Sequence, residues 1–336
     1  MTIGEAIRKV TEGGDLSAGE AHAAMTEIMS GTASTAQIAA FLIAIRMKGE
    51  TVEEVTEFAR VMREHVVAVT PSRRPLVDTC GTGGDAVKTF NVSTTAAFVA
   101  AGAGVAVAKH GNRSVTSKCG SSDVLEALGV RVEQSPQEVA RCVDEIGIGF
   151  MFAPAFHPAM KHAGPVRREL ALRTVFNALG PLTNPAGAEA QVIGVYAPEL
   201  TELHAGALRN LGCRRAYVVH GREGMDEFST LGPTRVTEVK DGWQRTYDLT
   251  PEEVGLPRAC YEDIAGGGPA ENAALLLAVL EGRQGPARDI VVLNAAAAIA
   301  AGGRAEDLRE GLTLARQSID SGQARQKLSQ LQEIAA

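Results

Sequence analysis

Val77-Asp78-Thr79-Cys80-Gly81-Thr82-Gly83-Gly84-Asp85, followed by Lys88 and by Asn91-Val92-Ser93-Thr94, is the stretch whose reading decides the fold. Its apolar start predicts a strand, and Gly81, Gly83 and Gly84 predict that the strand runs straight into a tight turn. Glycines so close together let successive backbone N–H groups converge into a nest that holds phosphate oxygens without a cation. A helix is expected to start near Asn91 to Thr94. Its first N–H groups, with the Ser93 and Thr94 hydroxyls, would add a second anion-binding surface. The pattern is neither GxxxxGK[ST] nor GxGxxG, so it belongs to neither common nucleotide loop. A plain glycine turn is the competing reading of this segment alone.

Upstream of it, the first 70 residues read as helices only. Ser17 with Glu20, Ser34 with Gln37 and Thr51 with Glu54 form three capping boxes in succession, and Gly31 and Gly49 close two of the helices. Ile38, Phe41, Leu42 and Ile45 share a stripe at helical spacing, the pattern of a bundle core. From Pro75 onward short apolar runs alternate with helical segments, as in an α/β layer. The expected strands include Leu76 to Asp78, Val105 to Ala108, Phe150 to Ala153, Val192 to Tyr196 and Ala216 to Val219. Ser135, Pro136 and Glu138 open one helix, Glu199 to Leu211 forms another, and Pro165 to Ala178 reads as a third that resembles the amino-terminal helices. The tail from Ala305 to Ile334 is polar and helical. The fold class is an α/β domain with a smaller all-α domain, interleaved rather than joined by a tether.

The 336 residues suffice for one large or two modest domains. Five cysteines, odd in number and free of CxxC spacing, fit a reducing, cytoplasmic setting. MTIGEAIRKVTEGG lacks the apolar core of a secretory signal. Thr89 to Ala108 carries no charge, but Asn91, Ser93, Thr94 and Thr95 interrupt it and its apolar part is too short for a bilayer, so it reads as a buried helix and strand and no membrane association is expected. A formal net charge of −7 argues against a nucleic-acid binder. Phosphate, if held, must be met by local chemistry.

Two further segments carry such chemistry. Lys109-His110-Gly111-Asn112-Arg113-Ser114-Val115-Thr116-Ser117-Lys118-Cys119-Gly120-Ser121 follows an expected strand, and polar density at the end of a parallel strand is where open α/β sheets take ligands. Its cations and hydroxyls suit a phosphate and a sugar. Its end caps a helix from Asp123 to Leu128. Asp226-Glu227 likewise follows the apolar run Val218 to His220. Adjacent carboxylates repel unless something positive separates them, and magnesium is their natural partner when a pyrophosphate is present; a solvated acidic loop is the alternative.

Together these segments resemble the anthranilate phosphoribosyltransferase family: DTCGTGGD (78–85), KTFNVST (88–94), KHGNRSVTSKCGSSDVLEALG (109–129) and HGREGMDEFS (220–229). PAFHPAMKHAGPVRRELALRTVFNALGPLTNP (154–185) and RDIVVLNAAAA (288–298) extend the likeness over nearly the whole chain. Pyrimidine nucleoside phosphorylases share the fold but have a longer chain and lack the TGGD form. The resemblance implies a small α domain of residues 1–70 plus about 165–188, with an α/β domain of 71–164 plus about 189–336. It implies that phosphoribosyl pyrophosphate meets Gly81, Gly84, Asp85, Thr89, Asn91, Val92, Ser93, Thr94, the loop Lys109, His110, Gly111, Asn112, Arg113, Ser114, Val115, Thr116 and Ser117, and Ser121. It further implies a Mg2+ site at Ser93, Asp226 and Glu227, anthranilate contacts at Asn112 and Arg167, and a homodimer joined through the α domain.

The expected reaction breaks the ribose C1–oxygen bond and leaves negative charge on pyrophosphate, as in transfers through oxocarbenium-like states. Stabilising the leaving group then matters most. The aromatic amine is neutral and needs no strong base before attack; His110 is a candidate to take up its proton, and no catalytic residue is assigned. The alternatives are a phosphoribosyl or nucleoside transferase with another acceptor, or a silent nucleic-acid-binding member of the fold, which the acidic balance and the intact Asp226-Glu227 pair disfavour.

Overall fold

Capping boxes set the start of each of the first four helices, as the side chain at the N-cap and the carboxyl or amide three residues on satisfy each other's exposed N–H groups. Three are the expected ones, opening α2 (Ala18–Ser30), α3 (Thr35–Lys48) and α4 (Val52–Glu64). A fourth, Thr2 with Glu5, opens α1 (Ile3–Thr11). Gly31 ends α2 in the left-handed region at φ 79°. The apolar stripe of α3 is buried, with Phe41 edge-on to Phe58 of α4 at 5.8 Å. Glu54 is fully buried and is balanced by Lys48 Nζ at 2.9 Å and the Leu16 N–H at 2.9 Å.

This is a computed structural model, and it describes residues 1–84, 86–114 and 118–334. After the four helices come β1 (Leu76–Gly81), α5 (Val92–Gly102), β2 (Ala106–Gly111), α6 (Ser121–Ala127), α7 (Pro136–Ile146), β3 (Ile148–Phe152), α8 (Ala153–Phe156), α9 (Met160–Leu170) and α10 (Val175–Leu179). The chain continues through β4 (Ala190–Gly194), α11 (Leu200–Asn210), β5 (Arg215–Gly221), β6 (Thr234–Lys240), β7 (Trp243–Leu249), α12 (Pro269–Leu280), α13 (Pro286–Ala301), α14 (Leu308–Asp320) and α15 (Gln323–Ile334). The strands form one seven-stranded sheet in the order β3-β2-β1-β4-β5-β6-β7. Strands β1 to β5 are parallel, while β6 and β7 continue the sheet antiparallel. The chain winds from β1 outward through β2 to β3, then returns to β4 on the other side of β1. The crevice at the carboxyl ends of β1 and β4 is therefore a topological switch point, the usual ligand position in such sheets.

One face of the sheet is covered by α5 and α13, both buried and alanine-rich. Close packing needs glycine where α14 crosses α13: a Cβ on Gly311 would lie 2.5 Å from the Ala296 carbonyl oxygen. The bundle core of α1 to α4 is continuous with α9, α10, α11 and the other sheet face at Ile193, Val195, Ala216 and Val218.

The structure corrects one expected element and adds another. Pro165 to Ala178 is not one helix: α9 starts earlier, at Met160, carries Pro165 inside it, and stops at Ala171, a non-glycine residue at φ 51°. Thr174 then caps α10, its N–H donating to Asn177 Oδ1 at 3.0 Å. The hairpin β6–β7 was not expected at all. Among the described residues no helix is long and apolar enough to cross a membrane.

Candidate functional site

The glycine loop leaves β1 as its backbone turns left-handed, with φ 65° at Gly83 and 77° at Gly84. Thr82 N–H donates to the Gly194 carbonyl at 2.9 Å, which ties the loop to the end of β4. Gly83 N–H, one of the amides expected to face an anion, donates instead to Asp226 Oδ2 at 3.0 Å. The expected helix follows, with Asn91 at the N-cap of α5. Of its first amides, Val92 N–H goes to the Phe90 carbonyl at 2.7 Å and Ser93 N–H to Glu227 Oε1 at 3.0 Å. The two adjacent carboxylates thus lie on two anion-binding positions, one in the nest and one at the positive end of a helix.

Asp226 and Glu227 follow β5 and reach across β4 to β1. This approach requires glycine at two strand ends. A Cβ on Gly194 would fall 1.5 Å from the Asp226 carbonyl oxygen, and one on Gly81 would fall 2.4 Å from Asp226 Oδ2. Behind the pair, Asn294 of α13 grips the chain at two points: its Oδ1 accepts from Phe228 N–H at 3.0 Å and its Nδ2 donates to the Phe228 carbonyl at 2.9 Å. Ser93, Asp226 and Glu227 are hard-oxygen donors. Among the described residues no group of three or more His, Cys, Asp or Glu side chains could hold a metal by itself. Two carboxylates and a hydroxyl nevertheless fit magnesium, which keeps several waters and binds through one or two carboxylates plus substrate phosphate.

Asn91 is locked from behind. Its Oδ1 accepts from Asn272 Nδ2 at 2.9 Å, and its Nδ2 donates to the Cys119 carbonyl at 3.2 Å. Thr89 forms a backbone bridge with Ala265, so residues 261 to 272 buttress the segment between the glycine loop and α5. The side chains of Val92 and Thr94 are buried, so neither side chain faces the crevice.

The second loop folds on itself. Asn112 N–H donates to Ser121 Oγ at 3.2 Å, Ser114 N–H donates to Asp123 Oδ2 at 3.0 Å, and Gly111 leaves room for Ser121, whose Oγ would lie 2.2 Å from a Cβ there. Arg113 forms a two-pronged pair with Glu126, one arm at 2.7 Å. Lys109 points inward, its amine donating to the Thr79 carbonyl from a buried position, and burial lowers its pKa against the pull of Asp78. Burial also raises the pKa of Asp78, which accepts from His110 N–H at 3.0 Å and Asn184 Nδ2 at 2.7 Å.

His110 and His157 face each other, Nε2 to Nε2, at 3.2 Å. Burial, then the neighbouring imidazole, pushes His110 down to about 3, and burial pushes His157 down to about 4. Both are neutral near pH 7. His157 was not singled out from the sequence, where it stands isolated in Phe156-His157-Pro158 and nothing in spacing links it to His110. Arg167, in the last turn of α9, lies half-buried with its guanidinium 5.3 Å from the Phe176 ring centre, and burial lowers its pKa. Arg168 is exposed. Arg173 was also missed: it sits between α9 and α10, donates to the Gly84 carbonyl and stacks on Tyr196 at 4.3 Å. Of the remaining expected residues, Asp85, Val115, Thr116 and Ser117 lie outside the described residues.

Comparison with known proteins gives the family of the chain. Residues 73–325 match the α/β domain of a glycosyl transferase family, and residues 4–66 match its helical bundle domain. The chain is 59% identical to an anthranilate phosphoribosyltransferase of Symbiobacterium thermophilum over 98% of its own length and 96% of the relative's. The crystal structure of anthranilate phosphoribosyltransferase from Thermus thermophilus superposes with a TM-score of 0.93 at 49% identity, covering 98% of this chain and 99% of that one. The Saccharomyces cerevisiae enzyme in complex with PRPP and Mg gives 0.89 at 30% identity, covering 99% and 97%.

Proposed function

Since the chain belongs to the anthranilate phosphoribosyltransferase family, we propose that it transfers the 5-phosphoribosyl group of phosphoribosyl pyrophosphate to the amine of anthranilate, giving N-(5-phosphoribosyl)anthranilate and pyrophosphate in tryptophan biosynthesis. The observation that carries this reading is the convergence, at the β1/β4 switch point, of the glycine loop, the start of α5 and the Asp226-Glu227 pair. A diphosphate fits there because backbone amides and a hydroxyl converge with two carboxylates that can share a cation.

Ser93, Asp226 and Glu227 would hold Mg2+, which when bound supplies positive charge for the departing pyrophosphate. The Gly83 and Ser93 amides, now met by Asp226 and Glu227, would become donors to the phosphates once those carboxylates turn to the cation. Arg167 offers a planar fork to the anthranilate carboxylate. His110 is a candidate to relay the proton that the amine loses, but the burial that keeps it and His157 neutral also opposes the imidazolium either would form, so the relay must pass the proton on rather than hold it. Bringing amine and sugar carbon together in a crevice formed by helical stretch and sheet supplies the rest through positioning.

The same proposal includes residues 1–70 with about 165–188 as the smaller α domain, a homodimer joined through it, and a cytoplasmic setting that suits five free thiols. The test is direct: anthranilate fluorescence is followed with phosphoribosyl pyrophosphate and Mg2+, and in parallel with other aromatic amines. Turnover of another amine and none of anthranilate would overturn the acceptor assignment.

A further inference from the structure

We propose that Arg173 is a positioning residue for the diphosphate substrate, clasping the glycine loop from the helical stretch so that the loop keeps its phosphate-receiving turn. The inference rests on the function proposed above. Three contacts meet at Arg173, and a fourth ties its ring partner to the same loop. Arg173 donates through Nη2 to the carbonyl of Gly84. Its guanidinium lies over the Tyr196 ring, 4.3 Å from the centre. Tyr196 is itself tied to the loop, since its N–H donates to Thr82 Oγ1 at 3.1 Å. The Arg173 carbonyl accepts from Arg46 Nη1, in the last turn of α3. Arg173 makes no ion pair among the described residues, so its positive charge is directed at a backbone carbonyl and a ring face.

The physical consequence follows from the loop's composition. Gly83 and Gly84 are both left-handed, and glycine confers no conformational preference of its own, so the orientation of the Gly84 peptide must be set by what it touches. A carbonyl free to rotate can turn its negative end toward the phosphates, where it repels them. Held on Arg173, it cannot. The clasp also sits tightly over Gly84, where a Cβ would come within 3.2 to 3.4 Å of the guanidinium and push it back. Ala171 in its left-handed conformation ends α9 two residues before Arg173, which turns the chain out of the helix and toward the loop. Through Arg46 and α9, which packs on α2 and α3, the bundle is mechanically connected to the phosphate loop.

The test is a double-mutant cycle on Arg173 and Tyr196, read as the KM for each substrate, kcat and melting temperature. Arg173→Ala is expected to raise the phosphoribosyl pyrophosphate KM roughly tenfold, leaving the anthranilate KM and the melting temperature close to those of the parent. Tyr196→Ala should do the same, Tyr196→Phe should restore most of the loss because it keeps the ring face, and the double alanine variant should be no worse than either single one. Arg173→Lys, which keeps the charge but loses the planar fork and the stack, should behave nearer to alanine than to arginine. Additive effects, or a lysine variant that matches the parent, would overturn the clasp in favour of a cation touching substrate. Equal rises in both KM values with a lower melting temperature would overturn it in favour of a purely structural contact. Calorimetric titration of Arg173→Ala with Mg2+ and inorganic pyrophosphate separates this proposal from the acceptor assignment. Weaker pyrophosphate binding there supports the clasp even if the parent protein fails to turn over anthranilate, and binding equal to the parent's overturns it.

Discussion

Arg167 and Arg168 are neighbours in the chain and differ in surroundings. Successive helical residues point about 100° apart, so both cannot face one small site. Arg167 is half-buried beside Phe176 and Arg168 is exposed. A guanidinium removed from water without a carboxylate partner among the described residues is suited to receive one from a ligand. Arg167→Ala is expected to raise the anthranilate KM roughly tenfold to a hundredfold, the effect of about 1.5–3 kcal/mol for a charge-assisted contact. Arg168→Ala should leave it nearly unchanged; equal effects from the two would defeat the assignment. The His110–His157 pair makes a second claim at this scale. Both imidazoles have pKa values depressed by burial, to about 3 and about 4, whereas unfolded histidines take up protons near 6.5. The unfolded state therefore binds more protons as pH falls below 6.5, and stability drops through that window toward pH 4. His110→Asn with His157→Asn should flatten the decline in melting temperature between about pH 6.5 and 4. An unchanged slope would mean that other groups govern acid sensitivity.

At the scale of the element, the glycine loop shows that a turn can be demanding without being crowded. A Cβ on Gly83 meets nothing within 4 Å, so Gly83→Val would be strained by its φ of 65° rather than by a clash. It is expected to weaken pyrophosphate binding more than it lowers the melting temperature, and the reverse ranking would make the turn merely structural. This loop was legible from its residues because three glycines after an apolar strand leave few other readings. The capping boxes and the five parallel strands were legible for the same local reason. The hairpin β6–β7 was not. WQRTYDL is polar because β7 is the sheet edge and faces water, while TRVTEVK is mostly buried but alternates two valines with Thr, Arg, Glu and Lys, so neither shows the apolar run that marks a buried strand. A signal was present at the turn, where Asp241-Gly242 adopts φ 47° and 86°, the left-handed pair of a tight hairpin. In the site, Asp226 and Glu227 could be read as a pair, but their seats on Gly83 and Ser93 could not. Those contacts depend on a strand crossing that brings residues far apart in sequence together. Asp226→Asn with Glu227→Gln is expected to remove most activity at low Mg2+ and regain part of it at high Mg2+; an unchanged metal requirement would refute the metal assignment.

Taken whole, the molecule carries a net charge of −7, yet the chemistry proposed for it binds a polyanion. Long-range attraction cannot do this, so affinity must come from local amides and a shared cation. The two amides best placed for phosphate, on Gly83 and Ser93, are already met by Asp226 and Glu227. A diphosphate arriving alone would face two carboxylates; Mg2+ arriving alone would find only two charged ligands. Each should therefore bind weakly by itself and strongly with the other, because the cation draws the carboxylates to itself and the phosphates take the freed amides. Binding to the native state alone raises stability by RT ln(1 + [L]/Kd), about 2.7 kcal/mol at a hundredfold excess over Kd. In a chain of this length that is a shift of a few degrees, roughly 2–4 °C per kcal/mol or somewhat less. Thermal unfolding of the parent is expected to shift little with pyrophosphate or Mg2+ separately and by several degrees with both. With Asp226→Ala and Glu227→Ala combined, pyrophosphate alone should stabilise more than in the parent, since its seats are vacated, and Mg2+ should add little to it. A parent protein stabilised by pyrophosphate alone as much as by the pair would show that the carboxylates do not compete for those amides.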